Sequence, residues 1–277
     1  MQLAHRPIVT LTTDFGINDY FVGAVKGVIL DIVPEAAIVD ISHAVQAFDV
    51  LDGALTISQT YSYFPTGTVH MVVVDPGVGT TRRPIIASSD GYHFVAPDNG
   101  VLSMVYAKEE RIHVRHVTSD HYFRQPVSNT FHGRDIFAPV AAYLAKMVDS
   151  HKFGEEIEDY VRFAAPKPKP AGDNRLRAVV LKVDRFGNLI TNLTPEDAPA
   201  LFTGKTPFKI TVGSKEISDI RSSYAEGAPG EVFGILGSMG YLEIVANRAA
   251  AAQITGAGKG AEVSIVFSEG AAAGKGA

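Results

Sequence analysis

The sequence of 277 residues contains no cysteine. This absence excludes disulfides, thiolate nucleophiles, and zinc or iron–sulfur sites built on cysteine. The sequence also has no run of about 18 apolar residues, and its first residues have no apolar signal core. We therefore expect neither a membrane segment nor a secretory signal, and we predict a cytoplasmic enzyme or binding protein.

The sequence also has no excess of positive charge. It carries 25 Lys and Arg residues against 30 Asp and Glu residues, which gives a formal net charge of −5. No long basic block occurs, so nucleic acid is not an expected partner. With 46% hydrophobic and 20% charged residues, the composition is typical of a packed globular protein. The length allows two domains, each with its own core.

Several motifs of large enzyme classes are missing as well. There is no P-loop, no GxGxxG after the first predicted strand and no GxSxG nucleophile elbow. The cluster of His113, His116 and His121 fits a half-exposed strand with surface histidines better than a metal site. We therefore expect no bound metal.

The first 165 residues alternate between strand-like and helix-like patterns. Apolar runs at 8–12, 38–41 and 69–74 predict buried strands, and helical spacing predicts helices over 21–32 and 50–58. Asp90 and Gly91 separate two further runs as in a tight hairpin, and another amphipathic helix covers 136–144. The alternation predicts an N-terminal, mainly parallel α/β domain over residues 1–165.

The sequence changes character after residue 165. Alternating prolines over 166–174 predict an extended linker, since proline resists helices and central strands. Short apolar runs separated by Gly, Asn, Asp and Pro follow, at 179–183, 189–193, 208–212, 232–236, 242–245 and 263–267. They predict a small all-β domain, a barrel, over residues 175–277. The Gly- and Ala-rich end of the chain, residues 270–277, has low complexity.

The leading candidate for chemistry lies at the end of the third predicted strand. Asp75 follows the apolar run directly, a Pro-Gly turn comes next, and Arg82 and Arg83 lie seven and eight positions after the acid. Ligands bind at the carboxyl ends of strands in open α/β sheets, and an arginine can hold such an acid by charge-assisted hydrogen bonds. A structural ion pair that braces the loop explains the segment equally well, and spacing alone does not choose between Arg82 and Arg83.

Two further residues of the first half are candidates. His132 stands between Phe131 and Gly133, just before a predicted helix, where it could act in catalysis or be a helix-terminal or core histidine. Asp14 ends the first strand, where it could accept hydrogen bonds from ribose hydroxyls or cap the following helix.

The second half offers two polar turns. Asp184, Phe186 and Asn188 place a carboxylate, an aromatic face and an amide within five residues, a set that suits a planar polar ligand such as a purine. Ordinary turn chemistry explains the same residues. Ser238 and Tyr241 lie in a Gly-rich segment that reads either as a binding loop or as a barrel turn.

Five motifs taken together resemble one family. They are TDFG (13–16), DPGVGT with Arg82 (75–80), FHGRD (131–135), DRFGN (184–188) and SMGYLE (238–243), in order over residues 8 to 267. This set resembles the S-adenosylmethionine hydroxide adenosyltransferase family, which is related to the S-adenosylmethionine-dependent fluorinase and chlorinase.

The resemblance implies a fold, a reaction and an assembly. It implies an N-terminal α/β domain, a C-terminal β-barrel, and a homotrimer with active sites between neighbouring subunits. The implied reaction is attack of water on the ribose C5′ of S-adenosyl-L-methionine, giving adenosine and L-methionine without a metal or another cofactor. The family's catalytic Asp-Arg-His set falls on Asp75, Arg82 and His132. Its substrate-binding positions fall on Asp14, Asp184, Phe186, Asn188, Ser238 and Tyr241, with Phe48 and Phe131 packing against the nucleoside.

Two other functions stay open beside hydrolysis. The first is a halogenase that forms a 5′-halo-adenosine; the resemblance argues against it, because the halogenating relatives have an uncharged residue where this sequence has Asp75. The second is a protein that binds S-adenosylmethionine or adenosine without catalysis, which would not need Asp75, Arg82 and His132 together.

Overall fold

A computed structural model describes residues 6–204 and 206–268; the Ala- and Gly-rich end that begins at residue 270 lies outside the described residues. Its contacts divide the chain between Ala165 and Pro166 into two compact units. Each unit builds its own hydrophobic core.

The N-terminal unit alternates strands and helices. Its elements are β1 (Ile8–Thr13), α1 (Phe21–Ile32), β2 (Ala37–Ser42), α2 (Val50–Ser58), β3 (Val69–Val73), β4 (Pro84–Ser88), β5 (His93–Pro97), α3 (Ser103–Tyr106), β6 (His113–His116) and α4 (Ala138–Ala145). A π-helical turn, Gly133–Phe137, leads directly into α4.

The strands of this unit form one sheet in the order β2-β1-β3-β5-β4-β6. β1 pairs in parallel with β2 and β3, and β3 pairs in parallel with β5, whereas β4 runs antiparallel to β5 and β6. The mainly parallel α/β fold is therefore confirmed, with an antiparallel edge that begins at the hairpin after Ser88. Thr13 lies opposite Val73 in the register, so β1 and β3 end side by side.

β3 lies at the centre of the sheet and is buried on both faces. Val69, Met71 and Val73 belong to the core that includes α1 and α4. Val72 and Val74 face the opposite core, which includes Ile57 of α2. This two-sided burial explains why the sequence shows a continuous apolar run here instead of an alternating one.

The predicted helix over 136–144 begins differently in the structure. Residues Gly133–Phe137 form a π turn before α4, so an extra residue is inserted at the start of the helix. Pro139 falls in the first turn of α4, where its missing N–H costs no helical hydrogen bond. Apolar spacing alone cannot reveal such an insertion, because the residues after it keep the same periodicity.

The C-terminal unit is built mainly of strands. Its elements are β7 (Lys169–Pro170), β8 (Arg175–Val183), β9 (Leu189–Thr191), α5 (Pro199–Phe202), β10 (Phe208–Val212), β11 (Lys215–Ile217), β12 (Ile220–Arg221), β13 (Val232–Leu236), β14 (Leu242–Ala246), α6 (Ala251–Thr255) and β15 (Glu262–Phe267).

These strands form a curled sheet in the order β11-β10-β15-β8-β9-β14-β13-β12, and its two end regions approach each other where β11 contacts β13. All pairs are antiparallel except β12 with β13. The all-β C-terminal architecture is thus confirmed. The segment predicted as a linker supplies β7, which pairs with β8 at Arg177 and Leu176; two residues of edge strand are compatible with its prolines.

Candidate active site

A cavity of about 240 Å³ opens at the carboxyl ends of β1 and β3. Residues from four separate parts of the sequence come together around it. The lining residues are Asp14, Phe15, Phe21, Ala47, Phe48, Val73, Asp75, Val78, Thr130, Phe131, His132 and Gly133. Five residues predicted from the sequence, Asp14, Phe48, Asp75, Phe131 and His132, therefore share one cavity.

Asp75 and Arg82 form a buried ion pair at this cavity. Their side chains are 5% and 10% exposed. The Nε of Arg82 donates to both Asp75 carboxylate oxygens, at 3.1 and 2.9 Å, and Nη2 donates to Oδ2 as well. Such a two-pronged contact fixes the orientation of the carboxylate.

The turn between the two residues requires glycine. Gly79 has a φ of +78°, and a Cβ atom there would lie 2.2 Å from the carbonyl oxygen of Asn129. The 75–82 loop therefore packs directly against the loop that leads to His132.

Arg83 is engaged elsewhere. Its Nε donates to Asp98 at 2.9 Å, and its other nitrogens donate to the carboxylate and carbonyl of Asp159 at 2.8 and 2.9 Å. Asp98 also accepts a hydrogen bond from the backbone N–H of Val161. Arg83 thus fastens residues 159–161 to the sheet, while Arg82 is the arginine that contacts Asp75.

His132 completes a chain of three side chains. It caps the π turn before α4 and is 8% exposed, and its Nδ1 lies 2.7 Å from Nη2 of Arg82. Because arginine can only donate, Nδ1 must accept, and the ring carries its proton on Nε2. Burial and then the Arg82 charge lower the pKa of His132, so the neutral ring is favoured.

Asp14 approaches the same cavity from the end of β1. Its Oδ2 accepts a hydrogen bond of 2.8 Å from the backbone N–H of Phe48. Burial is the largest influence on the pKa of Asp14, and the Asp75 charge adds to it; together they raise the pKa despite the backbone hydrogen bonds. Phe48 has a φ of +65° and a 73% exposed side chain, a strained conformation that a non-glycine residue keeps only where its surroundings hold it.

Aromatic rings form the apolar wall of the cavity. Phe131 is 8% exposed and meets Phe15 and Phe21 edge to face, with centroids 6.0 and 5.2 Å away. Gly133 leaves the room that this cluster needs, since a Cβ there would lie 2.9 Å from the Phe15 ring. Phe131 was predicted as a site residue from the sequence, whereas Phe15 and Phe21 were missed.

Asp135 is a third residue that was missed. It is fully buried and accepts hydrogen bonds from Nε and Nη2 of Arg134 at 2.7 and 2.9 Å, and from the backbone N–H of Ser128 at 2.9 Å. It therefore fixes the loop that carries Phe131 and His132. Its place in the FHGRD motif was the signal that could have identified it.

In the C-terminal unit, Asp184 and Asn188 close a tight turn. Asp184 accepts hydrogen bonds from the backbone N–H groups of Phe186 and Asn188 and from the Asn188 side-chain amide, each at 2.8 Å. Gly187 has a φ of +84° and packs closely against Ala250. These contacts are those of an ordinary Asx turn, and they also fix the positions of the two polar side chains.

A second cavity, of about 560 Å³, lies beside this turn. The 77% exposed ring of Phe186 is one of its walls. Its lining residues are Phe186, Asn188, Tyr224, Ala246, Asn247, Arg248, Ala249 and Ala250. Ser238 and Tyr241 do not line it; they belong to the neighbouring turn, in which the N–H of Gly237 donates to the Tyr241 carbonyl at 2.9 Å and Ser238 is exposed.

Two kinds of feature are absent from residues 6–204 and 206–268. No group of three or more His, Cys, Asp or Glu side chains there could hold a metal ion. No helix in that part of the chain has the length and apolar character needed to cross a membrane.

Comparisons with known proteins agree on one family. Residues 9–154 match the SAM hydroxide adenosyltransferase N-terminal domain and residues 178–264 match its C-terminal domain. An (R)-S-adenosyl-L-methionine hydrolase of Salinispora tropica is 36% identical over 92% of this chain and 95% of that protein. A fluorinase of Nocardia brasiliensis is 31% identical over 89% of this chain and 92% of that protein. The crystal structure of an uncharacterized conserved protein from Thermotoga maritima superposes with a TM-score of 0.84 at 34% identity, covering 94% of this chain and 99% of that one.

Proposed function

Since the chain belongs to the SAM hydroxide adenosyltransferase family, we propose that it hydrolyses S-adenosyl-L-methionine to adenosine and L-methionine. The observation that carries the proposal is the chain of hydrogen bonds from Asp75 through Arg82 to His132 at the edge of one cavity. Relatives named (R)-S-adenosyl-L-methionine hydrolase support it, at 31–40% identity.

Asp75 positions the water in this proposal. Arg82 uses two nitrogens to hold the carboxylate, and the lone pairs left over can accept a hydrogen bond from a water molecule. The oxygen of that water attacks C5′ while the C5′–S bond breaks and its electron pair goes to sulfur. The proton released from the water passes to Asp75 late in the step and from there to solvent.

His132 has a complementary role. Because Nδ1 accepts from Arg82, Nε2 carries a proton that can be donated to the water oxygen. The water then has a donor on one side and an acceptor on the other, which limits its orientations before attack. Asp14 is placed to accept from ribose hydroxyls, and the aromatic wall around Phe131 covers the nucleoside.

The charge change of the reaction suits an apolar cavity. A sulfonium cation becomes a neutral thioether while a proton of the water passes to the Asp75 carboxylate, so the positive charge of the sulfonium and the negative charge of the carboxylate are both neutralised. Surroundings less polar than water favour such a step over the separated charges of the reactants. The rings of Phe15, Phe21 and Phe131 supply these surroundings.

The Asp75 carboxylate disfavours a halide as nucleophile, because its remaining lone pairs would face an anion that cannot donate a hydrogen bond. A unit charge about 4 Å from a halide at an effective dielectric of 20 repels it by at most about 4 kcal/mol, and the Arg82 guanidinium paired with Asp75 offsets part of this repulsion. Water carries no charge and avoids this penalty, so hydrolysis is favoured over halogenation although fluorinases are among the relatives.

We propose a homotrimer with active sites between neighbouring subunits, a cytoplasmic protein, and a reaction without metal or other cofactor. The exposed apolar side chains of Ile17, Tyr20 and Phe48 near the first cavity, and separately of Phe186 at the second, support association. Light scattering of the purified chain measures the oligomeric state.

One product assay tests the function. The purified protein is incubated with S-adenosyl-L-methionine alone, with chloride and with fluoride, and the products are separated by chromatography. Equal release of adenosine and L-methionine in all three samples is expected. A 5′-halo-adenosine would replace the proposal with halogenation, and calorimetric binding of the substrate without adenosine release over hours would replace it with a binding function.

A further inference from the structure

The turn that carries Asp14 at the end of β1 is closed by a neighbouring hydroxyl. The hydroxyl oxygen of Thr13 accepts a hydrogen bond of 3.3 Å from the backbone N–H of Phe15, so it links the two residues on either side of Asp14. Thr13 is 1% exposed, and its hydroxyl is therefore shielded from solvent. Contacts that fix this hydroxyl also fix the backbone from which the Asp14 carboxylate reaches the first cavity.

A buried histidine contacts this hydroxyl. Nδ1 of His43 lies 2.8 Å from the Thr13 hydroxyl oxygen, and the His43 side chain is 6% exposed. His43 directly follows β2, and the β1–β2 register shifts by one residue after Leu11, so that Thr12 pairs with Ser42. Without the shift Ser42 would lie level with Thr13, whereas the shift brings His43 to that position. A bulge of this kind commonly redirects a side chain next to a functional site.

Asp40 contacts the other side of the histidine ring. Oδ1 of Asp40 lies 3.0 Å from Nε2 of His43, and Oδ2 accepts a hydrogen bond of 2.6 Å from Nζ of Lys26 in α1. Burial acts to raise the pKa of Asp40, but Lys26 and His43 outweigh it and the pKa is lowered, so Asp40 stays a carboxylate. A carboxylate beside Nε2 holds the ring proton there, and Nδ1 of the neutral ring then accepts from the Thr13 hydroxyl.

The loop that begins at His43 supports the turn at two further points. The backbone N–H of Gly16, at the end of the turn, donates to the His43 carbonyl at 2.8 Å. The loop continues to Phe48, whose N–H donates to the Asp14 carboxylate at 2.8 Å. Residues 43–48 therefore hold both the backbone of the turn and the acid within it.

We propose that His43 is a positioning residue for Asp14. Its ring fixes the Thr13 hydroxyl and thereby the turn, and the turn sets where the Asp14 carboxylate meets the ribose hydroxyls of the substrate. The inference rests on the proposed function, in which Asp14 accepts from those hydroxyls. His43 and Asp40 are not among the residues that line the cavity, so their influence on the substrate passes through Asp14.

The test compares ligands with and without ribose hydroxyls. Adenosine carries both, whereas 2′,3′-dideoxyadenosine has the same base without them. Calorimetric titrations of the full chain use the wild type, Thr13→Val, which removes the hydroxyl, and Thr13→Ser, which restores it. Thr12→Val is the matched control, because Thr12 is buried in the same strand and its hydroxyl has no hydrogen-bond partner among the described residues. None of these titrations depends on turnover.

The wild type should bind adenosine more tightly than 2′,3′-dideoxyadenosine. In Thr13→Val, adenosine binding weakens by about five- to tenfold, the effect of one hydrogen bond. Binding of 2′,3′-dideoxyadenosine stays within about twofold of wild type, since it has no hydroxyl to lose the contact. Thr13→Ser and Thr12→Val match the wild type.

Variants of the histidine test the same contact from its other end. His43→Ala should show the same selective loss of adenosine binding, and His43→Asn, whose amide oxygen can accept from the Thr13 hydroxyl, should recover part of it. Thermal melts show which variants are folded at the titration temperature. If Thr13→Val is not folded there, the two His43 variants decide in its place.

A double-mutant cycle separates positioning from a general loss of structure. In an Asp14→Ala background the acceptor is already gone, so the addition of Thr13→Val changes adenosine affinity by less than about twofold. A general loss of structure would instead add its full effect to that of Asp14→Ala, as independent changes do.

Equal weakening of both ligands in Thr13→Val would overturn the positioning role, because it would indicate a structural one. Unchanged binding of both ligands, a wild type without preference for adenosine, or additive losses in the cycle would overturn it as well. The proposed function fails separately. A wild type that shows the expected selectivity but releases no adenosine from S-adenosyl-L-methionine would sink hydrolysis and leave the positioning role standing. Normal hydrolysis by the wild type, with unchanged selectivity in Thr13→Val, would sink the positioning role alone.

Discussion

Two buried carboxylates, one in each unit, have opposite electrostatic surroundings. Asp75 is 5% exposed and is held by two nitrogens of Arg82. Glu243 is 6% exposed, no cation pairs with it among the described residues, and its pKa is raised by burial and then by the charge of Asp184. A paired acid is compensated before a ligand arrives and can direct an uncharged reactant such as water. An unpaired acid is compensated only when a cation binds.

The two cavities are suited to different chemistry. The first has a fixed acid, a fixed cation and a neutral imidazole, a set that can orient a reactant. The second is lined by an exposed aromatic ring, and near it lie Asp184 and Glu243, for which the described residues provide no counter-ion. Removal of a charge should therefore have opposite consequences at the two places.

The largest expected effect is that of Asp75→Asn on turnover. Asparagine keeps the shape but cannot accept the proton of the attacking water, so kcat should fall by about 100-fold or more, the usual contribution of a positioned acid or base. Adenosine affinity should stay near wild type, since the proposed nucleoside contacts lie on Asp14 and the aromatic wall. Steady-state kinetics and calorimetry measure the two quantities. Asp90→Asn, at a 75% exposed carboxylate, is the control, and an undiminished kcat in Asp75→Asn would remove this acid from the mechanism.

A smaller loss is expected from Arg82→Lys, with Arg83→Lys as the neighbouring control. Lysine keeps the charge but cannot hold both Asp75 oxygens and His132 at once, so kcat should fall by roughly 10- to 100-fold. Arg83→Lys instead breaks the hydrogen bonds that Arg83 donates to Asp98 and Asp159. It should lower Tm and leave kcat within about twofold of wild type, as expected for a residue outside the reacting groups. A reversed pattern would place the catalytic arginine at position 83.

The pH dependence of the first cavity follows from His132. Its pKa is lowered by burial and then by Arg82, so the neutral ring should persist as the pH falls through 6.5, its ordinary value. The rate should therefore hold through pH 6.5 and decline only below it. Stability from this group is present above pH 6.5 and is lost below it, where the unfolded chain takes up the proton first.

NMR titration of the imidazole signals tests this expectation. The chain has nine histidines, and the signal missing in His132→Asn gives the assignment. In Arg82→Gln the pKa of His132 should move upward, because one of the two causes that lower it is removed. A His132 that titrates at or above 6.5 in the wild type would contradict the assignment of a neutral ring that accepts at Nδ1.

Much of the fold could be predicted because local signals and tertiary packing agree. The predicted spans of α1 and α2 match the structure, since apolar periodicity and Pro34 coincide with burial against the sheet. The short strands Lys215–Ile217 and Ile220–Arg221 were missed. Two or three residues of mixed polarity carry no periodic signal, and their pairing partners make them strands.

The site was predictable to a different extent in each unit. Asp75 and Arg82 lie seven positions apart, so they could be predicted from local signals, namely the end of a strand followed by a glycine turn. His132 contacts Arg82 from 50 positions further along the sequence. This contact depends on the tertiary fold, so local signals could not predict it. The burial of Glu243 was not predicted although this residue ends a recognised motif, because a glutamate within a strand is expected to face solvent.

The smallest expected effects, on stability, test the comparison most directly. Glu243→Gln removes an unpaired buried charge, so it should raise Tm by roughly 2–4 °C for a gain of about 1 kcal/mol. Asp75→Asn leaves Arg82 buried without its carboxylate and should lower Tm.

Because folding raises the pKa of Glu243, the wild type should gain stability from this group as the pH falls through that raised pKa, and Glu243→Gln should lack the gain. Thermal melts between pH 4 and pH 8 measure both effects, with Glu216→Gln, at an exposed carboxylate of β11, as control; a Tm that falls in Glu243→Gln would mean that a partner compensates this acid within the folded protein, and the contrast with Asp75 would no longer hold.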